Sequence, residues 1–355
     1  MNPAAVAELV ASVRPVDTAW ESVARARLDS LTKPVGSLGR LEDLAARVAV
    51  VQRTARPTLL HRDIVLMAGD HGVTARGVSP FPREVTAQMV ANFLAGGAAI
   101  NQLARHAGAG LNLVDIGVDA DLPAHPQLIH AKIARGTADL STGPAMTPEQ
   151  AAEALLTGAR VARGLASDGA TIIGTGEMGI GNTTAAAALT AALTGAAPED
   201  VVGRGTGLDD AGMERKRAVV AESLRVNAAA TTDPFDALAA FGGLEIAGLA
   251  GVVIGAATAG VCVVADGFIS GAAALAAIRI APDAAGFLFA SHRSAEPGHT
   301  VVLEALGLTP VLDLDMRLGE GTGAALAIEI IDAACVCMCG MATFAEAGVS
   351  GNDQQ

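Results

Sequence analysis

Residues 170–184 read ATIIGTGEMGIGNTT. The apolar run Ala170-Thr171-Ile172-Ile173 predicts a strand, the glycine-rich residues 174–184 a loop, and the alanine-rich segment after them a helix starting near Thr183 or Thr184. A helix N-terminus carries unpaired N–H groups and a partial positive charge. Glycines let the backbone approach an anion closely, so one reading is a phosphate seat. The other is tight packing of strand against helix, which uses glycine equally well. The stretch lacks the Gly-Lys-Ser/Thr ending of a triphosphate-binding loop, and it is not read as a dinucleotide fingerprint.

The same grammar recurs outward from this stretch. Apolar runs at 63–68, 111–114, 261–265, 286–290 and 311–314 each lead into a polar turn, and three of these turns carry titratable residues of interest: Gly69-Asp70-His71-Gly72, Ser291-His292-Arg293-Ser294 and Arg317-Leu318-Gly319-Glu320-Gly321. Helical stretches at 87–106, 149–166 and 213–230 lie between them. Strands alternating with helices predict an α/β fold with a parallel sheet and crossover helices. Ligands of such sheets gather at the C-terminal ends of the strands, where these polar motifs fall. Residues 1–60 read as helices and loops, and the tail is helical from 324 to about 348. The expected organisation is a large α/β domain over 61–323, with 1–60 and 324–355 forming a smaller helical region beside it.

Composition narrows the function classes. The 355 residues are 51% apolar and 3% aromatic, with 41 glycines, no tyrosine and a net charge of −13. A chain this acidic, with no stripe of Lys and Arg among aromatics, predicts no nucleic-acid partner. The first twenty residues lack a basic segment followed by an apolar one, so a cytoplasmic protein is expected. Residues 246–265 carry no charge, but four glycines interrupt them and no Lys/Arg or aromatic belt flanks them. They predict a buried helix and a strand at 261–265 rather than membrane insertion. The four cysteines, three of them in Cys335-Val-Cys337-Met-Cys339, suit no common zinc spacing and predict small buried apolar residues.

Three clusters invite chemistry. Gly203-Arg204-Gly205-Thr206-Gly207 precedes Arg215-Lys216-Arg217; the triplet reads either as a solvated helix face or, at Lys216, as an anion ligand. Glu320 stands between two glycines on a turn after an apolar run. It reads as a desolvated general base or as a carboxylate capping the helix that starts near Thr322. His71, His292 and His299 lack metal-ligand spacing and predict structural or hydrogen-bonding roles.

Taken together the motifs resemble one family, the nicotinate mononucleotide–dimethylbenzimidazole phosphoribosyltransferases of cobalamin nucleotide-loop assembly. The matching pieces are KPVGSLGRLE at 33–42, GDHGV at 69–73, SPFPREVT at 79–86 with Gln88-Met89, and DIGV at 115–118. They continue with GEMGIGNTT at 176–184, GRGTG at 203–207, Asp266-Gly267-Phe268, SHRS at 291–294 with Glu296, and RLGEGTG at 317–323. The resemblance implies Rossmann-like connectivity, a small helical domain from both termini, a homodimer, and no cofactor or metal. It implies that Glu320 is the catalytic base and that Ser79, Gln88, Met178 and Leu318 form the benzimidazole pocket. It places Gly176, Glu177, Gly179, Gly181, Asn182, Thr183, Gly205, Thr206, Lys216, Asp266, Ser291 and Ser294 around the nucleotide phosphate and ribose.

The implied chemistry is economical. The pyridine nitrogen of nicotinate mononucleotide is quaternary, so nicotinate leaves C1′ without needing a proton. The incoming benzimidazole must lose its N–H proton, which one carboxylate can take. A different class also fits the glycine loop, a non-catalytic nucleotide-binding module; it predicts nucleotide affinity without base exchange.

Overall fold

Six strands form one parallel sheet in the computed structural model, which describes residues 3–350. They are β1 (Arg62–Gly69), β2 (Ala109–Gly117), β3 (Leu128–His130), β4 (Ile172–Met178), β5 (Cys262–Ala265) and β6 (Leu288–Ala290). Their order is β3-β2-β1-β4-β5-β6, so the chain fills one side of the sheet from β1 outward and the other from β4 outward. That reversal opens a crevice beyond the carboxyl ends of β1 and β4. The register pairs Met67 with Glu177 and Ala68 with Met178, so the turns after β1 and β4 leave the sheet side by side.

Both faces of the sheet are covered, so β1 and β5 read as continuous apolar runs rather than alternations. Small residues let the covering helices come close. A Cβ on Gly251 would stand 1.8 Å from the Leu155 carbonyl oxygen, which locks helix Leu244–Thr258 onto helix Pro148–Ser167. The charge-free segment is therefore a buried core helix followed by β5, as expected. Cys262 and Cys335 are buried free thiols.

The N-terminal and C-terminal helices meet. Helix Arg40–Gln52 packs on both Ala19–Asp29 and Thr322–Gly340. Arg27 donates to the carbonyls of Met338 and Met341, and Leu31 bridges Thr343. Helix Thr322–Gly340 is long and apolar enough to cross a bilayer by composition, yet its inner face packs on the sheet and on helix Ala99–His106.

Several expected boundaries are corrected. β4 runs through Gly174 and Gly176, so the loop shrinks to Gly179–Gly181 and the helix begins at Asn182. Gly174, Gly176 and Gly179 do have the dinucleotide-fingerprint spacing. With the first two inside the strand, however, they do not form that motif's phosphate turn. Residues 311–314 are not a strand: Val311 N–H donates to the Ala290 carbonyl and Leu312 bridges His292, but the pairing goes no further because the chain beyond β6 turns away. The 87–106 helix is two, Val85–Leu94 and Ala99–His106, broken at Gly96 with φ +76°. The 213–230 helix spans Asp210–Val226, started by the Asp209 carboxylate accepting from Gly212 N–H at 2.8 Å. β6 begins at Leu288 rather than at 286.

Candidate active site

A cavity of about 320 Å³ opens beyond the carboxyl end of β4. One wall is apolar: Phe81, Val85, Met89, Met178 and Leu318. Val85 and Met89 come one turn apart from helix Val85–Leu94, and Phe81 and Leu318 stay half-exposed at the mouth. The opposite wall is polar and comes from the turn after β4, the glycine turn at 203–207, and the Glu320 loop.

The polar wall presents a helix N-terminus with a buried cation behind it. Helix Asn182–Thr194 points its N-terminus at the cavity from Gly181, whose φ of +94° a side chain would resist. Lys216 lies behind it, buried, donating from Nζ to Thr183 Oγ1 at 2.8 Å and to the Gly203 carbonyl at 3.1 Å. Burial pushes the Lys216 ammonium down to about 8, while the nearby Glu296 carboxylate holds it up. Glu296 in turn accepts the Gly205 N–H at 2.9 Å, fixing the second glycine turn against the first.

Glu320 is mounted on strain. Its φ is +64°, a left-handed conformation that non-glycine residues rarely hold, between Gly319 at +81° and Gly321 at +90°. Asp266 holds this turn. Its carboxylate accepts Gly321 N–H at 3.0 Å, Gly323 N–H at 2.7 Å and Ala324 N–H at 3.1 Å. The carboxylate at the N-terminus of helix Thr322–Gly340 is therefore Asp266, which leaves Glu320 without that role. Glu320 Oε2 is buried with no hydrogen-bond partner among the described residues. Burial raises the Glu320 carboxyl above its ordinary value, against the pull of the Ile100 N–H.

A second carboxyl lies beside the first. Glu177 sits against Gly319, its Oε1 only 2.3 Å from where a Gly319 Cβ would stand, and Asn182 Nδ2 donates to its Oε2. Desolvation, followed by the charges of Asp266 and Glu245, pushes Glu177 up to about 8, so it is mainly protonated at neutral pH. Asp266 rises to about 7 through burial, opposed by its backbone hydrogen bonds.

The matching family model, described as phosphoribosyltransferase, covers residues 13–349. The chain belongs to this family. A curated relative from Chloroflexus aggregans, named nicotinate-nucleotide–dimethylbenzimidazole phosphoribosyltransferase, is 55% identical over 95% of this chain and 96% of its own. One of the same name from Geobacter metallireducens is 51% identical over 98% and 99%. The crystal structure of CobT from Thermus thermophilus superposes with a TM-score of 0.91 at 51% identity, covering 94% of this chain and all of that one.

Within this phosphoribosyltransferase fold the expected residues fall into two groups. Met178, Leu318, Glu177, Gly179, Asn182, Thr183, Gly205, Thr206, Ser294 and Glu320 line the cavity. The others stand behind or beside it. Gly176 is inside β4, Gly181 caps the following helix, and Lys216 reaches the cavity through Thr183. Asp266 is engaged by the Glu320 turn. The Ser291 hydroxyl donates to the Asp266 carbonyl at 2.7 Å and faces His292 at 3.0 Å. Ser79 accepts the Phe81 N–H at 3.2 Å, and Gln88 is exposed on the helix face next to Val85 and Met89.

The histidines are tied into the framework. His71 Nε2 meets Glu245 Oε1 at 2.6 Å in a fully buried pair beneath Gly179. His299 Nδ1 accepts the Ser294 N–H at 3.0 Å, and burial drives its titration down to about 3, so it is neutral. Sequence reasoning missed Phe81, Val85, Met89, Phe268 and Ile269 as cavity residues. The available signal for two of them was the i, i+4 pair Val85 and Met89 beside Gln88.

Proposed function

We propose that the protein transfers the phosphoribosyl group of nicotinate mononucleotide to 5,6-dimethylbenzimidazole, giving α-ribazole 5′-phosphate and nicotinate for the lower ligand of cobalamin. The observation that carries this reading is Glu320 Oε2. It is a desolvated, unpartnered carboxylate oxygen between an apolar slot and a helix-terminal anion seat.

The chemistry follows from that placement. The ribose phosphate sits at the N-terminus of helix Asn182–Thr194 and draws on the Lys216 charge through Thr183 and the glycine turn. Glu177, kept neutral by burial, adds no charge against the phosphate and has a proton to donate to the ribose. The flat benzimidazole lies between Phe81, Met89, Met178 and Leu318, with one ring nitrogen toward C1′ and the other N–H toward Glu320. That nitrogen bonds to C1′ as the C1′–nicotinate bond breaks, its electron pair going to the pyridine nitrogen. Glu320 takes the benzimidazole proton. Attack opposite the leaving group turns the β anomer into the α anomer. Positioning by the phosphate supplies several kcal/mol of the barrier reduction, about 7 at the lower end for well-oriented reactants.

Ser79 and Gln88 border the base slot, and Gly205, Thr206, Ser291 and Ser294 frame the ribose side. The reading also carries a cytoplasmic location and a homodimer, and light scattering tests the dimer directly. The activity itself is tested by incubating the protein with nicotinate mononucleotide and dimethylbenzimidazole. The expected products are nicotinate and a ribazole phosphate with α configuration by NMR. Nucleotide binding without release of nicotinate would instead favour the non-catalytic module.

A further inference from the structure

Nicotinate mononucleotide carries two anions, and the anion seat accounts for only one of them. Among the described residues, Arg317 is the one Lys or Arg side chain on the cavity wall. It is exposed and makes no hydrogen bond or ion pair with any described residue, although Glu177, Glu296 and Glu320 share the wall. Arg317 also lines a second cleft, of about 470 Å³, whose other cations are Arg204 and Arg217. Arg204 is already engaged by the Leu208 carbonyl and Asp210, and Arg217 by Glu214. Arg317, at the boundary of cavity and cleft, is the guanidinium left to a ligand.

We propose that Arg317 binds the carboxylate of the nicotinate ring, selecting the acid nucleotide over its amide and stabilising nicotinate as it leaves. This rests on the transferase reading above. The charge balance gives the interaction its direction. Attached to C1′, the base is a zwitterion, with a cationic ring nitrogen and an anionic carboxylate. When the C1′–N bond breaks, the electron pair neutralises the ring nitrogen and the departing base acquires a net negative charge. A guanidinium at the carboxylate therefore binds the departing base more strongly than the attached one, and only such differential binding raises the rate. A planar guanidinium also matches a carboxylate through paired N–H donors. The amide analogue leaves as a neutral molecule and gains nothing from the cation.

The test compares wild type, Arg317→Met and Arg317→Lys with nicotinate mononucleotide and nicotinamide mononucleotide, measuring Kd by calorimetry without base and turnover with dimethylbenzimidazole. Arg317→Met should weaken the acid nucleotide by roughly tenfold, the lower end for a charged hydrogen bond, and should lower its turnover further. Its affinity for the amide nucleotide should change by less than about twofold, and Arg317→Lys should recover part of the loss by restoring the charge. Equal losses on both nucleotides, or no loss on either, would overturn the role of Arg317 while leaving the transferase intact. Absence of turnover by wild type would instead overturn the activity, and the binding arm would still decide the carboxylate contact.

Discussion

Gly176 and Glu320 touch backbone to backbone: a Cβ on Gly176 would lie 2.5 Å from the Glu320 carbonyl oxygen. The strand that leads to helix Asn182–Thr194 thus also sets the height of the turn carrying Glu320. Gly176→Ala must lift that turn by a fraction of an ångström or more, while Gly181 and Lys216 stay where they are. Misplacement on the scale of 1 Å costs a rate of about 10²-fold. Turnover should fall by one to two orders of magnitude on that scale, with nucleotide affinity nearly unchanged. Parallel measurement of kcat and nucleotide Kd checks this; a loss of affinity as large as the loss of rate would refute the division of labour.

On the proposed reading Lys216 serves the nucleotide half of the site. Lys216→Met removes the cation that links Thr183 to the Gly203 turn. Charged hydrogen bonds of this kind contribute about 1.5–3 kcal/mol, so the nucleotide KM should rise by roughly ten- to a hundredfold. The KM for the base should hardly move, since the apolar wall is untouched. Steady-state kinetics with each substrate varied in turn separate the two; a matching rise in both would place Lys216 in the fold rather than at the phosphate.

Buried acids give stability an unusual pH dependence. Glu177 titrates at about 8 in the folded protein against 4.5 ordinarily, so the folded state holds a proton that unfolding releases. Its contribution is full below the ordinary value and is lost as pH rises toward 8. Asp266, at about 7, acts in the same sense, whereas His299, held at about 3 against 6.5, destabilises as pH falls below 6.5. Lys216, lowered to about 8 from 10.5, returns stability above pH 8. Between about pH 6.5 and 8 the acids dominate, and the melting temperature should fall, with Glu177 contributing about 1–2 kcal/mol. Glu177→Gln should flatten that slope; a Glu177→Gln profile as steep as wild type would rule out the raised titration.

The strand-ends and the titratable residues were legible in the sequence because each is a local signal: an apolar run, a glycine turn, a carboxylate between glycines. β3 was not, because three residues at a sheet edge, with Ile129 and His130 exposed, leave no periodicity to read. Residues 311–314 have the composition of a strand but lack a neighbour that stays extended alongside them. The glycines of β4 read as a loop because nothing local tells a phosphate-facing glycine from one pressed against Ile64 or Glu320. The two readings of the Glu320 carboxylate at helix Thr322–Gly340 could be separated only by Asp266, 54 residues before Glu320 in the chain and brought there by β5. Of the apolar cavity wall, Met178 and Leu318 were implied by the resemblance, but Phe81 was hidden, since it joins them from a distant part of the sequence.

The central claim is that Glu320 takes the proton of the incoming base while other groups hold the nucleotide. The direct measurement is the turnover of Glu320→Gln under saturating nucleotide, paired with its nucleotide Kd. Glutamine keeps the size of the side chain and removes its basicity. The account predicts a fall in kcat of about 10²–10⁴-fold, the usual contribution of a positioned general base, with nucleotide affinity close to that of wild type. Turnover near the wild-type rate in Glu320→Gln would contradict it.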